Sequence, residues 1–145
     1  MRLSTKGRYA VMAMADLARR EDMAGRAVAL ADIAERQEIS PSYLEQLFPR
    51  LRRKGLVRSA RGPGGGYRLA REAGETSIAE IVRAVDEPLH ATRCAGHGAG
   101  CMAKGERCLT HDLWESLGDR IEDYLASVSL ADVISGRLGD SRRAA

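Results

Sequence analysis

The sequence predicts a mainly α fold with a small β-hairpin, arranged as a winged helix-turn-helix domain followed by a long dimerisation helix. Three observations predict this fold. Two amphipathic segments meet at a tight turn before Pro41, a glycine-rich stretch at 61–66 separates two short β-prone segments, and a helical repeat follows Thr110. The 145 residues are 44% hydrophobic and 30% charged, which is typical of a globular protein and not of a disordered or membrane-spanning chain.

An amphipathic first helix is predicted over residues 5–20, where small and aliphatic side chains recur at helical spacing. The basic N-terminus resembles a targeting sequence. However, Asp16 interrupts its apolar stretch and no cleavage site follows, so we interpret it as a mature helix of a cytoplasmic protein. Residues 21–27 are polar and predict a loop. A short second helix ends near Gln37, and its apolar positions are Leu30, Ile33 and Ala34.

The third predicted helix begins after Ser40, a good N-cap residue, because Pro41 suits the first helical turn. It runs towards Lys54, and Gly55 is a typical stop signal. Pro49 lacks an amide hydrogen and therefore predicts a kink within the helix. The apolar positions are Leu44, Leu47, Phe48 and Leu51.

A β-hairpin is predicted directly after this helix. Residues 56–60 and 67–69 are short β-prone segments on either side of the glycine-rich turn. No Lys-Ser or Lys-Thr pair follows the glycines, which argues against a phosphate-binding P-loop. A hairpin in this position is the wing of a winged helix, and glycines such as Gly62 let its backbone approach a groove or a phosphate closely.

Three further helices complete the prediction. Thr76 or Ser77 caps a helix that ends near Pro88, and Ser129 caps a short final helix. The long helix after Thr110 carries an apolar seam typical of packing against a partner helix, formed by Trp114, Leu117, Ile121, Tyr124 and Val128. The alternative is that this helix packs only on its own domain. A small core with 4% aromatic residues favours burial in a dimer.

Charge is distributed unevenly along the sequence, and the most strongly charged stretch is a basic segment. Residues 1–72 carry a net charge of +7, and residues 73–145 carry a net charge of −4. Residues 50–71 contain eight Arg or Lys and no acid. A solvated basic face would explain such a run, but its position on the predicted helix and wing favours contact with a polyanion, and nucleic acid is the polyanion that fits.

Three cysteines and a histidine form the candidate reactive centre, Cys94-x6-Cys101-x6-Cys108-x2-His111. An odd number of clustered cysteines indicates metal binding or redox chemistry and not a disulfide framework. The wide gaps favour an iron–sulfur cluster over zinc, whose sites usually begin with a pair separated by about two to four residues. Unliganded redox thiols are the third possibility. The residues alone leave the fourth ligand open among His90, His97 and His111.

Four stretches of the sequence resemble the iron–sulfur-sensing members of a bacterial family of winged-helix regulators. They are MRLSTKGRYAVMAM, LADIAERQEISPSYLEQLFPRLRRKGLV, RGPGGGY, and AVDEPLHATRC with CLTH. The resemblance covers residues 1–134, and the family also includes nitric-oxide and iron sensors. It implies a homodimeric transcription factor, not an enzyme, that binds double-stranded operator DNA. It also implies a labile [2Fe-2S] cluster, supplied by the iron–sulfur assembly machinery, whose presence represses the protein's own cluster-assembly operon.

The resemblance assigns roles to individual residues of this chain. The implied cluster ligands are Cys94, Cys101, Cys108 and His111. The implied reading positions of the third helix are Ser40, Ser42, Tyr43, Glu45 and Gln46. Arg61, beside Gly62, is the implied minor-groove residue. The implied phosphate contacts or their neighbours are Arg2, Lys6, Arg50, Arg52 and Arg53.

Glu45 is an acid within this basic reading surface. A carboxylate that faces DNA is unfavourable unless it is paired. One interpretation pairs Glu45 with Arg52 or Arg53. In the other, Glu45 filters DNA sites by accepting a hydrogen bond from a cytosine amine.

The predicted organisation has five segments. They are a winged helix-turn-helix DNA-binding domain at 1–75, a connecting helix at 76–91, a cluster-binding loop at 92–110, the dimerisation and short C-terminal helices at 111–135, and a flexible tail at 136–145.

Overall fold

The structure, a computed structural model, describes residues 4–24, 26–85 and 100–138. Its helices are α1 (Thr5–Ala24), α2 (Leu30–Gln37), α3 (Pro41–Arg53), α4 (Ile78–Ala84), α5 (His111–Ser127) and α6 (Leu130–Ser135); its strands are β1 (Val57–Ala60) and β2 (Gly66–Leu69). The predicted fold class, mainly α with a hairpin wing, is confirmed. The sequence positions Arg2, His90, Cys94 and His97 lie outside the described residues. No described helix is long and apolar enough to cross a membrane.

Helix α1 runs through the centre of the winged helix-turn-helix domain. Its buried face includes Ala10, Met14 and Leu17, which are fully buried against the other elements of the domain. The helix extends beyond the predicted residue 20 to Ala24. The polar residues after position 20 do not end the helix, because polar side chains suit the solvated outer face of a helix. Glu21, in this extension, accepts a hydrogen bond from the Leu69 amide at 2.7 Å and so ties the helix end to β2.

The turn between α2 and α3 is made by an unusual residue. Glu38 adopts a left-handed backbone conformation with φ of 53°. The Ile39 amide then donates to the Ala34 carbonyl at 3.0 Å, and the buried Ile39 side chain anchors the turn in the core. Glycine or asparagine is the usual residue in this conformation, so the packing of the flanking helices holds Glu38 there.

Helix α3 begins at Pro41 with Ser40 in the N-cap position, as predicted. The Ser40 hydroxyl does not cap the described helix; it lies 2.9 Å from the Ser42 hydroxyl. The helix continues through Pro49 to Arg53, and the kink predicted at Pro49 stays a prediction. The predicted apolar face is confirmed, since Leu44, Leu47, Phe48 and Leu51 are all buried.

The wing is an antiparallel hairpin that is fastened to the helical core. Val57 pairs with Leu69, and Ala60 pairs with Gly66. Val28 and Tyr67 exchange backbone hydrogen bonds of 2.9 and 2.8 Å, so the segment before α2 extends the hairpin. A Cβ at Gly66 would lie 2.1 Å from the Val28 carbonyl oxygen, which explains why glycine occupies this position.

The starts of α4 and α6 are joined to each other. Ser77, one of the two predicted caps, is the N-cap of α4 and forms a capping box with Glu80; Ser129 forms the equivalent box with Asp132 at α6. The Ile78 amide donates to the Val128 carbonyl at 2.9 Å, and the Leu130 amide donates to Thr76 at the same distance. The end of α5 is therefore fixed to the start of α4.

A buried ion pair joins α1 to α2, and it makes stability dependent on pH. Asp16 is buried and accepts hydrogen bonds from Arg36 Nη2 at 2.7 Å and Gln37 Nε2 at 2.8 Å. Burial raises the pKa of Asp16, but the hydrogen bonds from Arg36 and Gln37 and the Arg36 charge outweigh it and hold that pKa below its ordinary value.

We expect Asp16→Asn to lower the free energy of unfolding at pH 7 by about 1–3 kcal/mol, the range for hydrogen bonds to a charged group. The stabilisation is complete above the unfolded pKa of about 3.9 and is lost as the pH falls through the lower folded pKa. Urea unfolding at pH 7 and near pH 3 measures the difference, with the exposed Glu35→Gln as control. If the parent and the variant differ in the free energy of unfolding by the same amount at every pH, the lowered pKa assigned to Asp16 is contradicted.

Candidate nucleic-acid interface and metal centre

The outer face of α3 presents polar and charged side chains to solvent. Ser42, Glu45, Gln46, Arg52 and Arg53 are exposed, and their spacing of three, four and seven residues places them on one side of the helix. Tyr43 is only partly exposed because its ring packs edge-on against Tyr9 of α1, with centroids 5.5 Å apart. The side chains of this face are therefore accessible from solvent while the apolar face is held in the core.

Glu45 has no ion-pair or hydrogen-bond partner among the described residues. The interpretation that pairs its carboxylate with Arg52 or Arg53 is thus not seen in the described part of the chain. All three side chains are exposed. The specificity-filter interpretation of Glu45 stays a prediction.

Arg50 has a different environment from its basic neighbours. It is partly buried, and its Nη1 donates to the Val85 carbonyl at 3.4 Å. Val85 is the residue that caps the C-terminal end of α4. The Arg50 side chain, predicted as a phosphate contact or a neighbour of one, is therefore directed towards α4 and connects α3 with the C-terminal end of that helix.

The wing carries its positive charge at the tip and along its strands. Arg61 and Gly62 are both exposed, and the turn is closed by the Gly65 amide, which donates to the Gly62 carbonyl at 2.8 Å. Arg58 and Arg68 are directly opposite each other in the strand register and are also exposed. Like charges at opposed positions are unfavourable without a counter-charge. These two arginines were not singled out from the sequence, because their alignment depends on the register.

Lys6 lies exposed in the first turn of α1, and its predicted role is a phosphate contact.

The wing packs on α3 through two aromatic rings. The Phe48 and Tyr67 rings, 4.9 Å apart, hold β2 against α3. The helix and the wing therefore form one rigid surface, with exposed basic groups on both.

Two of the four predicted metal ligands, Cys101 and His111, meet at the start of α5, and the backbone of a third, Cys108, contacts them. Cys101 Sγ lies 3.3 Å from His111 Nδ1, and the Cys108 amide donates to the same sulfur at 3.0 Å. His111 is buried, whereas both thiols are partly exposed. His111 is the first residue of α5, and its amide donates to the Cys108 carbonyl at 3.1 Å. The backbone of Cys108 is thus held beside the Cys101–His111 pair.

A close backbone approach shapes the loop around Cys101. A Cβ at Gly100 would lie 2.0 Å from the Gly105 carbonyl oxygen, far inside contact distance. The Met102 amide donates to the Glu106 carbonyl at 3.1 Å and closes this loop. Glycine at position 100 therefore lets the chain fold back tightly next to the Cys101 thiol.

The two ring nitrogens of His111 face different groups. Nδ1 faces the Cys101 sulfur, and Nε2 lies 3.9 Å from Glu115 Oε2, one helical turn along α5. A carboxylate beside the second nitrogen orients an imidazole for metal binding through the first. Possible ligand atoms of His111, Asp112 and Glu115 lie within 4.8 Å of one another. Sequence reasoning missed Glu115, although its position four residues after His111 was the available indication.

Helix α5 presents an uncovered apolar stripe. Among its described residues only His111 and Gly118 are buried, and α5 packs on α4 with an Arg83–Glu122 ion pair between them. Leu113 is 59% exposed and Tyr124 is 50% exposed. Together with Leu117 they lie on a flank of the helix away from Gly118. Leu113 extends the stripe one residue earlier than the predicted seam, which begins at Trp114.

The predicted seam needs one correction. Val128, its last member, caps the C-terminal end of α5 and is buried in the core of its own chain, where its carbonyl accepts from Ile78. Helical periodicity placed it on the seam, but the helix ends at Ser127 and the chain turns inward there. Trp114, Leu117 and Ile121 are partly exposed, in keeping with a surface that another helix would cover.

Comparison with known proteins matches the chain to one protein family. The family model Rrf2, described as "Iron-dependent Transcriptional regulator", matches residues 3–136. The HTH-type transcriptional regulator IscR of Photorhabdus laumondii is 56% identical over 137 residues, which cover 94% of this chain and 81% of that protein.

Two solved structures support the same grouping. IscR of T. potens is 39% identical with a TM-score of 0.75, and the match covers 94% of this chain and 88% of that one. CymR, the global cysteine regulator of B. subtilis, is 32% identical with a TM-score of 0.77, and the match covers 93% and 97% of the two chains.

Proposed function

Because the chain belongs to the Rrf2 family of iron-dependent transcriptional regulators, we propose that it senses iron–sulfur clusters and represses its own cluster-assembly operon when a cluster is bound. As a member of this family, it is a DNA-binding transcriptional regulator. The observation that carries the proposed sensing role is the contact of the Cys101 sulfur with His111 Nδ1 and with the Cys108 amide at the start of α5, in a chain that also carries a basic winged helix.

The donor set fits an iron–sulfur cluster. Thiolates are the usual cluster ligands, and histidine replaces cysteine in some two-iron centres. Cys101, Cys108 and His111 would supply three ligands, with Cys94 as the fourth by sequence. The N-terminus of α5 favours negative charge, which suits an anionic thiolate centre. When bound, a [2Fe-2S] cluster supplies a labile, redox-active centre whose presence depends on the assembly machinery that delivers it.

Operator recognition is divided between α3 and the wing. The outer face of α3 supplies amide, hydroxyl and carboxylate groups that suit base edges in a major groove. Arg61 projects from a tip whose glycines allow close approach, and a narrow A·T-rich minor groove attracts such an arginine. Arg58 and Arg68, which face each other on the strands, are exposed on the wing and would contact phosphates.

Dimerisation through α5 would place two such surfaces on one operator. In the apolar stripe of Leu113, Leu117, Ile121 and Tyr124, the first and last side chains are exposed and the middle two are partly exposed. A second copy of α5 buries these side chains and presents the two reading helices at fixed spacing. The homodimer acts in the cytoplasm, where DNA is accessible and thiols are kept reduced.

A chain of contacts connects the metal centre with the reading helix. Helix α5 packs on α4 through the Arg83–Glu122 pair, and α4 ends at the carbonyl that accepts from Arg50 of α3. A change in the position of His111 moves α5, and α4 transmits that movement to α3. Metal-bound and metal-free protein would then differ in operator preference, with some promoters bound in both states.

Metal content separates this proposal from its alternatives. Protein purified without oxygen should absorb visible light and contain about two iron and two sulfide per chain, as expected of a two-iron cluster. A colourless protein with one tightly held zinc would instead indicate a zinc-stabilised regulator, and a metal-free protein active on DNA would indicate a thiol switch. Either of the latter results would reject the cluster-sensing proposal.

We expect Arg61→Ala to weaken operator binding by about 1–3 kcal/mol, with a loss that depends on the A·T content flanking the site. Arg19→Ala is the matched control, because Arg19 is an exposed arginine on α1 beside α6, at a distance from the α3 face. Titration of both variants on operators with A·T-rich and G·C-rich flanks measures the effect. A small loss that is equal on all flanks would make Arg61 a phosphate contact only.

A further inference from the structure

Two consecutive hydrogen-bond contacts lead from the single tryptophan to a ligand sulfur. The Trp114 indole nitrogen donates to Thr110 Oγ1 at 3.0 Å. The same hydroxyl oxygen lies 3.8 Å from Cys108 Sγ, within range of a hydrogen bond to sulfur. Thr110 was predicted as the N-cap of α5 and occupies that position, but its hydroxyl caps no amide of the described helix. The Thr110 hydroxyl is therefore directed to the indole and the thiol.

The direction of the two hydrogen bonds follows from the donor inventory. An indole N–H only donates, so the Thr110 oxygen accepts from Trp114. The hydroxyl retains one hydrogen of its own. A cysteine that ligates a metal is a thiolate with no hydrogen, so the contact between Thr110 and a ligating Cys108 has Thr110 as the donor.

We propose that Thr110 is a positioning residue that donates a hydrogen bond to the Cys108 sulfur, and that Trp114 strengthens this bond, so that together they raise the reduction potential of the bound cluster. The inference rests on the proposed cluster-sensing function. Hydrogen bonds to the sulfurs are one determinant of cluster potentials. A donor stabilises the more negative, reduced state most, and a hydroxyl that accepts from an indole is a better donor through hydrogen-bond cooperativity.

The amide of Cys108 makes a similar contact to Cys101, at 3.0 Å, but no side-chain substitution removes it. The Thr110 hydroxyl contact to Cys108, by contrast, can be removed by substitution without changing a predicted ligand. Thr110 is exposed and Trp114 partly exposed, so changes in solvent or in a covering partner helix reach this pair directly.

The test compares Thr110→Val, which removes the hydroxyl and keeps the side-chain shape, with Thr110→Ser, which keeps the hydroxyl. Thr110→Val should lower the one-electron reduction potential by about 59 mV, equivalent to a tenfold change in the reduction equilibrium. Thr110→Ser should stay close to the parent. Trp114→Phe, which keeps an aromatic ring on the apolar stripe, should shift the potential in the same direction by less. Potentials come from anaerobic spectroelectrochemical titration, with iron and sulfide quantified in each variant.

A second readout does not depend on the cluster. The metal-free protein has one indole N–H resonance, and Thr110→Val should shift it upfield and accelerate its exchange, whereas Thr110→Ser should not. A parent protein without iron and sulfide would overturn the proposed function and this inference with it. A parent with a full cluster whose potential is the same in Thr110→Val would overturn the inference alone, as would a Thr110→Ser protein that behaves like the valine variant.

Discussion

Cys101→Ala is expected to abolish iron and sulfide retention and the visible absorption that accompanies it. Cys101 is the thiol at the centre of the site, since its sulfur is 3.3 Å from His111 Nδ1 and accepts the Cys108 amide. Removing it eliminates one thiolate and its contact with His111, and water is a poor replacement for a thiolate on iron. Iron and sulfide analysis after anaerobic reconstitution measures the loss.

Met102→Ala is the matched control for this substitution. Met102 is the adjacent residue of the same loop and is exposed, so its truncation should leave iron and sulfide content at the parental level. Thermal unfolding should be similar in both variants, because the hydrophobic core includes neither residue. A Cys101→Ala protein with full iron and sulfide would show that Cys101 is not a ligand.

Ile121→Asp is expected to convert the dimer to monomers and to weaken operator binding strongly. A carboxylate in the centre of the apolar stripe would be buried against its own copy across the dimer, where like charges repel without solvation. Loss of a central interface side chain costs about 2–4 kcal/mol, which corresponds to roughly a 30-fold to 1,000-fold weaker dimer. Sedimentation equilibrium and operator titration measure the two effects.

Ser116→Asp adds the same charge to α5 outside the apolar stripe and serves as control. Ser116 is exposed, and helical geometry places it on the polar side of α5, away from Ile121. This variant should sediment as a dimer and bind the operator like the parent. If Ile121→Asp also sediments as a dimer, the interface lies elsewhere on the molecule.

Elements with local sequence signals were predictable. The Ser129 N-cap before α6 follows from residue types within one turn of the chain, and the glycine-rich turn of the wing follows from its backbone requirements. The amphipathic pattern of α3 predicted which of its faces is buried, and the structure confirms it. In each case the physical cause is local, so a short window of sequence contains it.

Features that depend on distant residues were not predictable. The left-handed Glu38 has no local signal, because the packing of α2 and α3 imposes its conformation. The pairing of Val28 with Tyr67 and the opposition of Arg58 and Arg68 depend on how segments far apart in sequence align. Val128 was assigned to the seam because periodicity does not show where a helix ends and the chain turns into the core.

The site was predictable in composition and less so in arrangement. Cysteine spacing and the position of His111 at a helix start indicated one centre; the structure places the Cys101 sulfur against His111 Nδ1 and the Cys108 amide, and the full ligand set stays a prediction. The positions of Glu115 and of Thr110 relative to the donors required coordinates. Side-chain directions at the start of a helix depend on loop geometry, and the close approach at Gly100 determines that geometry here.

Operator binding with and without the cluster tests the central claim most directly. The protein is purified without oxygen, divided into cluster-loaded and metal-free samples with iron and sulfide quantified, and titrated onto the promoter of its own cluster-assembly operon. The cluster-loaded protein should bind about 5-fold to 150-fold more tightly, the range of typical allosteric coupling. Equal affinity of the two samples, with the cluster shown to be fully present in one of them, would contradict cluster sensing by this regulator.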